Sequence, residues 1–284
     1  MCGTFPILVS TQWLADNLNA ADCKVLDATR HLPGADRDAK EEFEAGHIPG
    51  AQFLDLANLT DPGSDVPAAL PNSAQVNARL EALDIMKSSK IVIYDNSAVK
   101  TSSRAWFALK ANGIENVAIL DGSFAKWRAE GRAIDAGAAR DVPPSEGSGP
   151  APARIRFKDD MLANLDTRSE QVVDARSADR VFGDGDDPVH GGANGRIPGA
   201  YNVPFNTLFT DKGTFKSPGE LRDIFEEAGV DLAKPVITSC GSGVTASVLL
   251  FALELIGKTD TALYDGSWME WSADPATPKA VGPE

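Results

Sequence analysis

Cys240 is the residue of this sequence whose surroundings point most clearly to chemistry. An apolar strand pattern runs into it, and a glycine-spaced turn and a long helical pattern follow. A thiol there lies where backbone N–H groups can converge at the positive end of a helix, which favours a nucleophilic thiolate. A buried structural cysteine is the alternative. Gly241 and Gly243 favour the reactive interpretation, because glycine lets backbone approach a ligand closely.

The composition limits the possible classes of protein. The 284 residues suffice for two domains, and 43% hydrophobic with 24% charged residues is typical of a soluble globular protein. A formal net charge of −14 argues against nucleic-acid binding, which needs lysine and arginine to neutralise phosphates. No segment resembles a transmembrane span or a signal peptide, so we expect a cytoplasmic protein with no membrane partner.

The cysteines and histidines are few and scattered. Besides Cys240 there are Cys2 and Cys23, and the three histidines are His31, His47 and His190. No cysteine pair has the C-x-x-C spacing of a zinc or dithiol redox site. We expect no metal site, no disulfide framework and no chemical role for Cys2 or Cys23.

The sequence motifs of the elements that must position Cys240 occur twice in the chain. Four motifs of the first half return in the same order in the second, at offsets between 144 and 149 residues. The pairs are 25–28 with 172–175, 46–51 with 195–200, 91–95 with 236–240, and 120–127 with 264–271. The sequence therefore predicts two copies of one fold.

A segment rich in Pro, Gly, Ser and Ala, residues 137–152, separates the copies and is typical of a linker. We predict a first domain at 1–136 and a second at 153–284. In the second copy, residues 171–174 and 235–238 are predicted strands, and 217–228 and 244–256 are predicted helices.

Strands that alternate with helices indicate an α/β fold, with a mainly parallel sheet flanked by helices in each domain. Such sheets bind ligands beyond the carboxyl ends of their strands, where Cys240 falls. Aligning the copies places Asp95 opposite Cys240. The second copy is therefore predicted to be catalytic and the first to be structural.

These motifs resemble a known family. The duplication, the Gly-His-Ile-Pro-Gly-Ala and Asp-Gly-Ser-Trp motifs, and the loop Cys240-Gly241-Ser242-Gly243-Val244-Thr245 resemble the tandem rhodanese-type sulfurtransferases over essentially the whole chain. The loop is closest to the 3-mercaptopyruvate branch, whereas the thiosulfate branch typically has Cys-Arg-Lys-Gly-Val-Thr. The resemblance implies sulfur transfer through a persulfide on Cys240.

The loop chemistry agrees with that implication. A persulfide anion benefits from converging N–H donors, which the five residues after Cys240 could supply at a helix N-terminus. A loop without cations suits a mercapto-acid better than the thiosulfate dianion. These five donors are Gly241, Ser242, Gly243, Val244 and Thr245.

A carboxylate substrate also needs a cation. Arg180 matches the family position whose arginine holds the acidic group of the substrate, and a guanidinium suits a carboxylate. We interpret Arg176 as a structural ion-pair partner. Val189 stands where the family often has a second arginine, and the histidine of the second Gly-His-Ile-Pro-Gly is replaced by Arg196. Arg196 or His190 could supply the missing charge, or both could be solvated loop residues.

Ser242 has two possible roles. Some mercaptopyruvate enzymes pair the loop serine with a histidine and an aspartate, but the aligned positions here are Ala57 and Ala68. Ser242 either hydrogen-bonds to the substrate without a relay or is a small residue that a tight loop tolerates.

The sequence argues against two rival functions. A Cys-x5-Arg phosphatase needs an arginine six positions after the cysteine, and Ala246 stands there, which argues against that function. A non-enzymatic rhodanese-like sulfur-carrier or binding module would usually lack the cysteine.

We therefore predict a cofactor-independent sulfurtransferase, with Cys240, Ser242 and Arg180 at its site, that moves sulfur from 3-mercaptopyruvate. Thiosulfate is the alternative donor. The predicted acceptor is cyanide or a thiol such as thioredoxin or glutathione.

Overall fold

Two five-stranded parallel sheets form the framework of this computed structural model, which describes residues 5–145, 147 and 149–282. Cys2 lies outside the described residues. Contacts divide the chain into two compact units. The first comprises residues through Gly63, Leu70–Ala153 and Thr210–Phe215, and the second comprises Ser64–Ala69, Arg154–Phe209 and the chain from Lys216 onward.

The first unit is built around a sheet with strand order β1-β5-β4-β2-β3. Its strands are β1 (Leu8–Val9), β2 (Cys23–Asp27), β3 (Gln52–Phe53), β4 (Lys90–Tyr94) and β5 (Val117–Leu120). Its helices are α1 (Thr11–Asn17), α2 (Ala39–Ala45), α3 (Ser73–Ala82), α4 (Ser102–Ala111) and α5 (Ser123–Ala129).

The second unit repeats this arrangement with strand order β6-β10-β9-β7-β8. Its strands are β6 (Ile155–Arg156), β7 (Gln171–Asp174), β8 (Tyr201–Asn202), β9 (Val236–Ser239) and β10 (Thr261–Tyr264). Its helices are α6 (Lys158–Thr167), α7 (Ala178–Phe182), a short 3₁₀ helix (Phe205–Leu208), α8 (Pro218–Glu227), α9 (Ala246–Leu255) and α10 (Ser267–Ala273).

The predicted fold is confirmed. All the strand pairs in both sheets are parallel. The central strand of each sheet, β4 or β9, is followed directly by Asp95 or Cys240. β9 pairs with β10 on one side and with β7 on the other, so its carboxyl end is held from both sides. All four of its residues are buried, and these include the polar Thr238 and Ser239.

Two predicted helices in the second unit form with small differences at their ends. α8 begins after Ser217, which shares a capping box with Glu220. α9 begins at Ala246, two residues later than predicted, because Val244 and Thr245 belong to the turn after Cys240. Its residues 246–253 are all buried, so the helix is covered on every face, and its polar Ser247 donates to the Gly243 carbonyl.

The described residues of the predicted linker contain neither helix nor strand. They are held in the first unit by polar contacts from α3 and its cap. The Asn72 side-chain amide donates to the Gly147 carbonyl at 2.9 Å, and the Gln75 amide donates to the Ser145 carbonyl at 3.4 Å. The domain bounds at 136 and 153 stay predictions. Within the described part of the chain, no helix combines the length and apolar character needed to cross a membrane.

Asp27 ends β2 in the first unit and makes the stability of the protein depend on pH. Burial raises the pKa of Asp27 to about 6, and this effect is larger than that of the hydrogen bonds from Thr29, which lower the pKa. The Asp27 carboxyl therefore binds its proton more tightly in the folded state than in the unfolded state, where its pKa is 3.8. The resulting stabilisation is fully present below about pH 4 and is lost as the pH rises through about 6.

We expect Asp27→Asn to remove this loss, which amounts to about 3 kcal/mol at most. The urea midpoint of the variant, relative to that of the unmodified protein, should rise between about pH 4 and about pH 7. Asp174→Asn in the second unit is the matched control. Arg176 pairs with Asp174 there, so removing that carboxylate should destabilise the protein at neutral pH. An equal effect of Asp27→Asn at both pH values would contradict this account.

Candidate active site

Cys240 is the first residue after β9, and only 2% of it is exposed. Its backbone is tied to the start of α10. The Cys240 N–H donates to Ser267 Oγ at 3.2 Å, and the Trp268 N–H donates to the Cys240 carbonyl at 2.9 Å. Ser267 Oγ donates in turn to the Tyr264 carbonyl at 2.9 Å. Both backbone groups of Cys240 are therefore used, and its position is fixed before any ligand arrives.

The loop after Cys240 presents unused backbone donors. Among the described residues, the N–H groups of Gly241, Ser242, Val244 and Thr245 donate to no acceptor. Gly243 has a φ of +79°, a left-handed conformation that glycine adopts without strain. The loop therefore leads into α9 with several N–H groups open, which is a ready site for an anion.

The loop carbonyls are tied elsewhere. Ser247 Oγ donates to the Gly243 carbonyl at 2.9 Å, and the Ser247 N–H donates to the Val244 carbonyl at 3.2 Å. The Met269 N–H donates to the Gly241 carbonyl at 3.0 Å. We call residues Gly241 to Thr245 the amide loop.

In the equivalent loop of the first unit, backbone N–H groups donate to the carboxylate of Asp95. Asp95 follows β4, is 1% exposed, and accepts the Ser97 N–H on Oδ1 and the Ser102 N–H on Oδ2, both at 2.9 Å. Its own N–H donates to Ser123 Oγ at 2.7 Å, which repeats the bond between Cys240 and Ser267. The first unit thus carries a built-in anion where the second carries a thiol.

The predicted arginines lie in one charged network within the second unit. Arg176 is fully buried, donates from Nη2 to Asp174 Oδ2 at 2.7 Å, and places its Cζ 4.8 Å from the centre of the Trp268 ring. This is the geometry of a structural ion pair. Arg180 forms a two-pronged pair with Asp187, with Nε to Oδ1 at 3.0 Å and Nη2 to Oδ2 at 2.7 Å.

Asp187 is the acceptor that organises this network. Burial would raise the pKa of Asp187, but Arg180 and the N–H groups of Val189 and His190 outweigh burial and lower it overall. The carboxylate therefore stays ionised and balances Arg180. In the described part of the chain, Nη1 of Arg180 has no hydrogen-bond partner, so this nitrogen is the one that can still receive a ligand.

His190 links Arg180 to the amide loop. Arg180 Nη2 lies 2.9 Å from His190 Nδ1. A guanidinium only donates, so Nδ1 accepts and the proton of the neutral ring is on Nε2. Burial, and then the charge of Arg180, lower the pKa of His190. A Cβ at Gly241 would come within 2.2 Å of the His190 Cε1, so the imidazole fills the space beside the residue after Cys240.

Arg196 lies elsewhere, and its interpretation as a solvated residue is wrong. It is 1% exposed, its Nη1 donates to the Gly282 carbonyl, and its Cζ lies 4.9 Å from the centre of the Phe182 ring. Its backbone pairs with Ala280. The matching His47 of the first unit is also buried, with Nδ1 2.7 Å from the Phe43 carbonyl. Both residues anchor neighbouring backbone because the motif folds inward there.

Ser242 is partly buried and makes no hydrogen bond to the described residues. Ala57 and Ala68 have no side-chain group that could take part in a proton relay. The structure therefore brings together Cys240, the amide loop, Arg180 and His190.

Sequence reasoning missed three residues of the site, Asp187, Ser267 and Trp268. A signal for Ser267 was present, because Asp-Gly-Ser recurs at 121–123 and 265–267 beside the two equivalent strand ends. Ser123 and Ser267 also share a left-handed backbone, with φ of 55° and 52°. This common conformation aims each hydroxyl at the residue that follows the central strand.

The family model of the rhodanese-like domain matches residues 10–130 and again residues 157–274. The chain belongs to the rhodanese-like family. It is 40% identical over 273 residues to the 3-mercaptopyruvate sulfurtransferase of Mus musculus, with 94% of this chain and 92% of the mouse protein covered. It is 35% identical over 271 residues to the thiosulfate sulfurtransferase of Bos taurus, with 93% and 91% covered.

A solved structure agrees with these relatives. The crystal structure of SseA from Escherichia coli, a 3-mercaptopyruvate sulfotransferase, superposes with a TM-score of 0.79 at 34% identity and covers 92% of this chain and 98% of that one. The prediction of a tandem rhodanese-type sulfurtransferase is confirmed.

The two serines at equivalent positions allow a matched test of how Cys240 is held. Ser267→Ala should leave the Cys240 N–H without its acceptor, at a cost of about 1–3 kcal/mol in folding stability, and should lower sulfurtransferase activity. Ser123→Ala should cost a similar amount and leave the activity per folded molecule unchanged. Urea unfolding and steady-state rates measure both effects. Equal loss of activity in the two variants would show that the hydroxyl acts only through global stability.

Gly241→Ala tests the contact with His190. The backbone at 241 is not left-handed, so an added methyl should act through its clash with the imidazole. We expect the single variant to be destabilised, and a second change, His190→Ala, to relieve the clash. A double-mutant cycle in urea should give a favourable coupling of about 1 kcal/mol or more, whereas additive effects would mean that the two residues do not touch.

Proposed function

We propose that this sulfurtransferase takes sulfur from 3-mercaptopyruvate, stores it as a persulfide on Cys240 and passes it to a thiol. The observation that carries the proposal is the amide loop, which places open N–H groups next to a buried cysteine. None of the side chains in this loop is cationic. The mercaptopyruvate relatives point to the same donor.

The first half-reaction needs only groups of this chain and the substrate. The Cys240 thiolate attacks the sulfur of 3-mercaptopyruvate, an S–S bond forms, and the bond between sulfur and C3 breaks. The bonding electron pair stays on the carbon fragment, which takes up the proton of the mercapto group and leaves as pyruvate. The persulfide anion remains among the N–H groups of the amide loop, which stabilise its charge. No oxidant or cofactor enters the balance.

Asp95 supports this role for the loop. In the first unit an oxygen anion occupies the equivalent position and accepts N–H bonds at 2.9 Å from Ser97 and Ser102. The terminal sulfur of a persulfide on Cys240 would meet the same kind of donors. The first domain, proposed at 1–136, is then structural, and the domain proposed at 153–284, beyond the linker at 137–152, is catalytic.

The substrate carboxylate is assigned to Arg180. Asp187 already takes two of its N–H bonds, which leaves Nη1 for the ligand and makes Arg180 a weaker anion site than an unpaired arginine. That strength suits a single carboxylate. Ser242 is assigned a hydrogen bond to the substrate without a relay, because Ala57 and Ala68 provide no partner.

The second half-reaction returns the enzyme to its thiolate. A thiol acceptor attacks the outer sulfur, and we assign this role to thioredoxin or glutathione in a cell and to cyanide in an assay. The cytoplasm is the proposed compartment. The kinetics should be those of a double displacement, because pyruvate leaves before the acceptor reacts.

The donor is tested by measuring kcat/KM for 3-mercaptopyruvate and for thiosulfate on one preparation, with cyanide as the acceptor. We expect a clear preference for 3-mercaptopyruvate. Preference for thiosulfate would overturn the donor and leave persulfide chemistry intact. Cys240→Ser should abolish activity with both donors, and unchanged activity in this variant would exclude the persulfide. Asp95→Asn is the matched control at the equivalent position and should retain turnover per folded molecule.

A further inference from the structure

The contacts that run from Arg180 through His190 to Cys240 follow the same order as the groups along 3-mercaptopyruvate. Along 3-mercaptopyruvate the carboxylate is followed by the C2 carbonyl, then by C3 and the sulfur. Along the protein, Arg180 contacts His190, His190 lies against Gly241, and Gly241 follows Cys240. With the carboxylate at Arg180 and the sulfur at Cys240, the His190 imidazole lies between the two ends of the substrate.

We propose that His190, as the neutral tautomer with its proton on Nε2, donates a hydrogen bond to the C2 oxygen of 3-mercaptopyruvate and stabilises the enolate that forms as sulfur leaves. This inference rests on the proposed function. When the bond between sulfur and C3 breaks, its electron pair is delocalised from C3 onto the C2 oxygen. The mercapto proton then reaches C3, and His190 keeps its own proton throughout.

The loop that carries His190 is built to hold the ring still. The Asp187 N–H donates to the Gly192 carbonyl at 2.7 Å, and the Gly191 N–H donates to the Asp187 carbonyl at 3.0 Å. Trp268 Nε1 donates to the Ala193 carbonyl at 2.9 Å, which ties the loop to α10. The ring is therefore positioned from the same helix start that positions Cys240, and a donor fixed in advance stabilises charge without reorganising.

The tautomer follows from the charged groups that face the ring. Arg180 donates to Nδ1, and Arg176 and Asp187 are the other charges that act on His190. Protonation would place an Nδ1–H against the Arg180 N–H, so the hydrogen bond between them would be lost. In the described part of the chain Nε2 has no partner, and it is free to meet a ligand.

This donor takes the place of a charge that the site lacks. Val189, beside His190, carries no charge, and Arg196 is committed to Gly282 and Phe182. The two arginines of the network, Arg176 and Arg180, are balanced by Asp174 and Asp187. A neutral N–H donor fits a ketone oxygen whose charge develops only during the reaction.

The test compares two amides that mimic different nitrogens of the imidazole. The side-chain nitrogen of glutamine reaches the place of Nε2, whereas asparagine reaches only that of Nδ1. We expect His190→Asn and His190→Ala to slow the single-turnover release of pyruvate on the order of a hundredfold, with a smaller change in KM, and His190→Gln to recover most of the rate. Discharge of the persulfide to cyanide, after loading with inorganic polysulfide, should be unchanged in all three variants.

The pH profile provides a second readout. Pyruvate release by the unmodified enzyme should fall on the acid side, because protonation of His190 at Nδ1 breaks the bond from Arg180 that holds the ring in place. The His190→Gln variant should lose that limb. Equal rates for the glutamine and asparagine variants, or an unchanged acid limb, would overturn the role of His190 and leave the proposed function standing. Failure of the unmodified enzyme to release pyruvate, with discharge to cyanide intact, would overturn the donor and this inference together.

Discussion

The hydrogen bond from the Cys240 N–H to Ser267 Oγ is the constraint on which the site depends. It joins the end of the central strand β9 to the start of α10, and the returning bond from the Trp268 N–H closes the connection. The chain turns directly after Cys240. In that turn the N–H groups of Gly241, Ser242, Val244 and Thr245 donate to no described residue, so the open donors lie directly after the thiol that this connection fixes.

The duplication shows how one backbone serves two purposes. Ser123 and Ser267 hold equivalent residues in the same way, yet the first unit places the Asp95 carboxylate on its own loop amides. An internal anion satisfies those donors permanently and leaves nothing to bind. The second unit replaces the carboxylate with a thiol that can gain and lose a charged sulfur atom. The residue after the central strand, Asp95 or Cys240, decides whether the loop holds a carboxylate of its own, and the two glycines at 241 and 243 have no counterpart in the first unit.

Charge is balanced around the thiol rather than concentrated there. Arg176 and Arg180 lie beside Asp174 and Asp187, and His190 continues the network to Gly241 as a neutral ring. A buried arginine without such a partner would be costly, so the carboxylates allow both cations to sit close to the site. Among the described residues, the open donors near the thiol include backbone N–H groups, Nη1 of Arg180 and Nε2 of His190. They favour a ligand of modest charge with several oxygen atoms.

The sequence by itself determined the two copies, the parallel α/β fold, the position of Cys240 beyond a buried strand and the contrast with Asp95. These features are carried by local patterns, since strand and helix periodicity and repeated motifs can be read along the chain. Only the tertiary structure decided the partners of side chains that are distant in sequence. It paired Arg180 with Asp187, buried Arg196 against Phe182, and set His190 on Gly241. These contacts depend on how loops cross one another in space, because a hydrogen bond is decided by distances of a few tenths of an ångström that no pattern along the chain encodes.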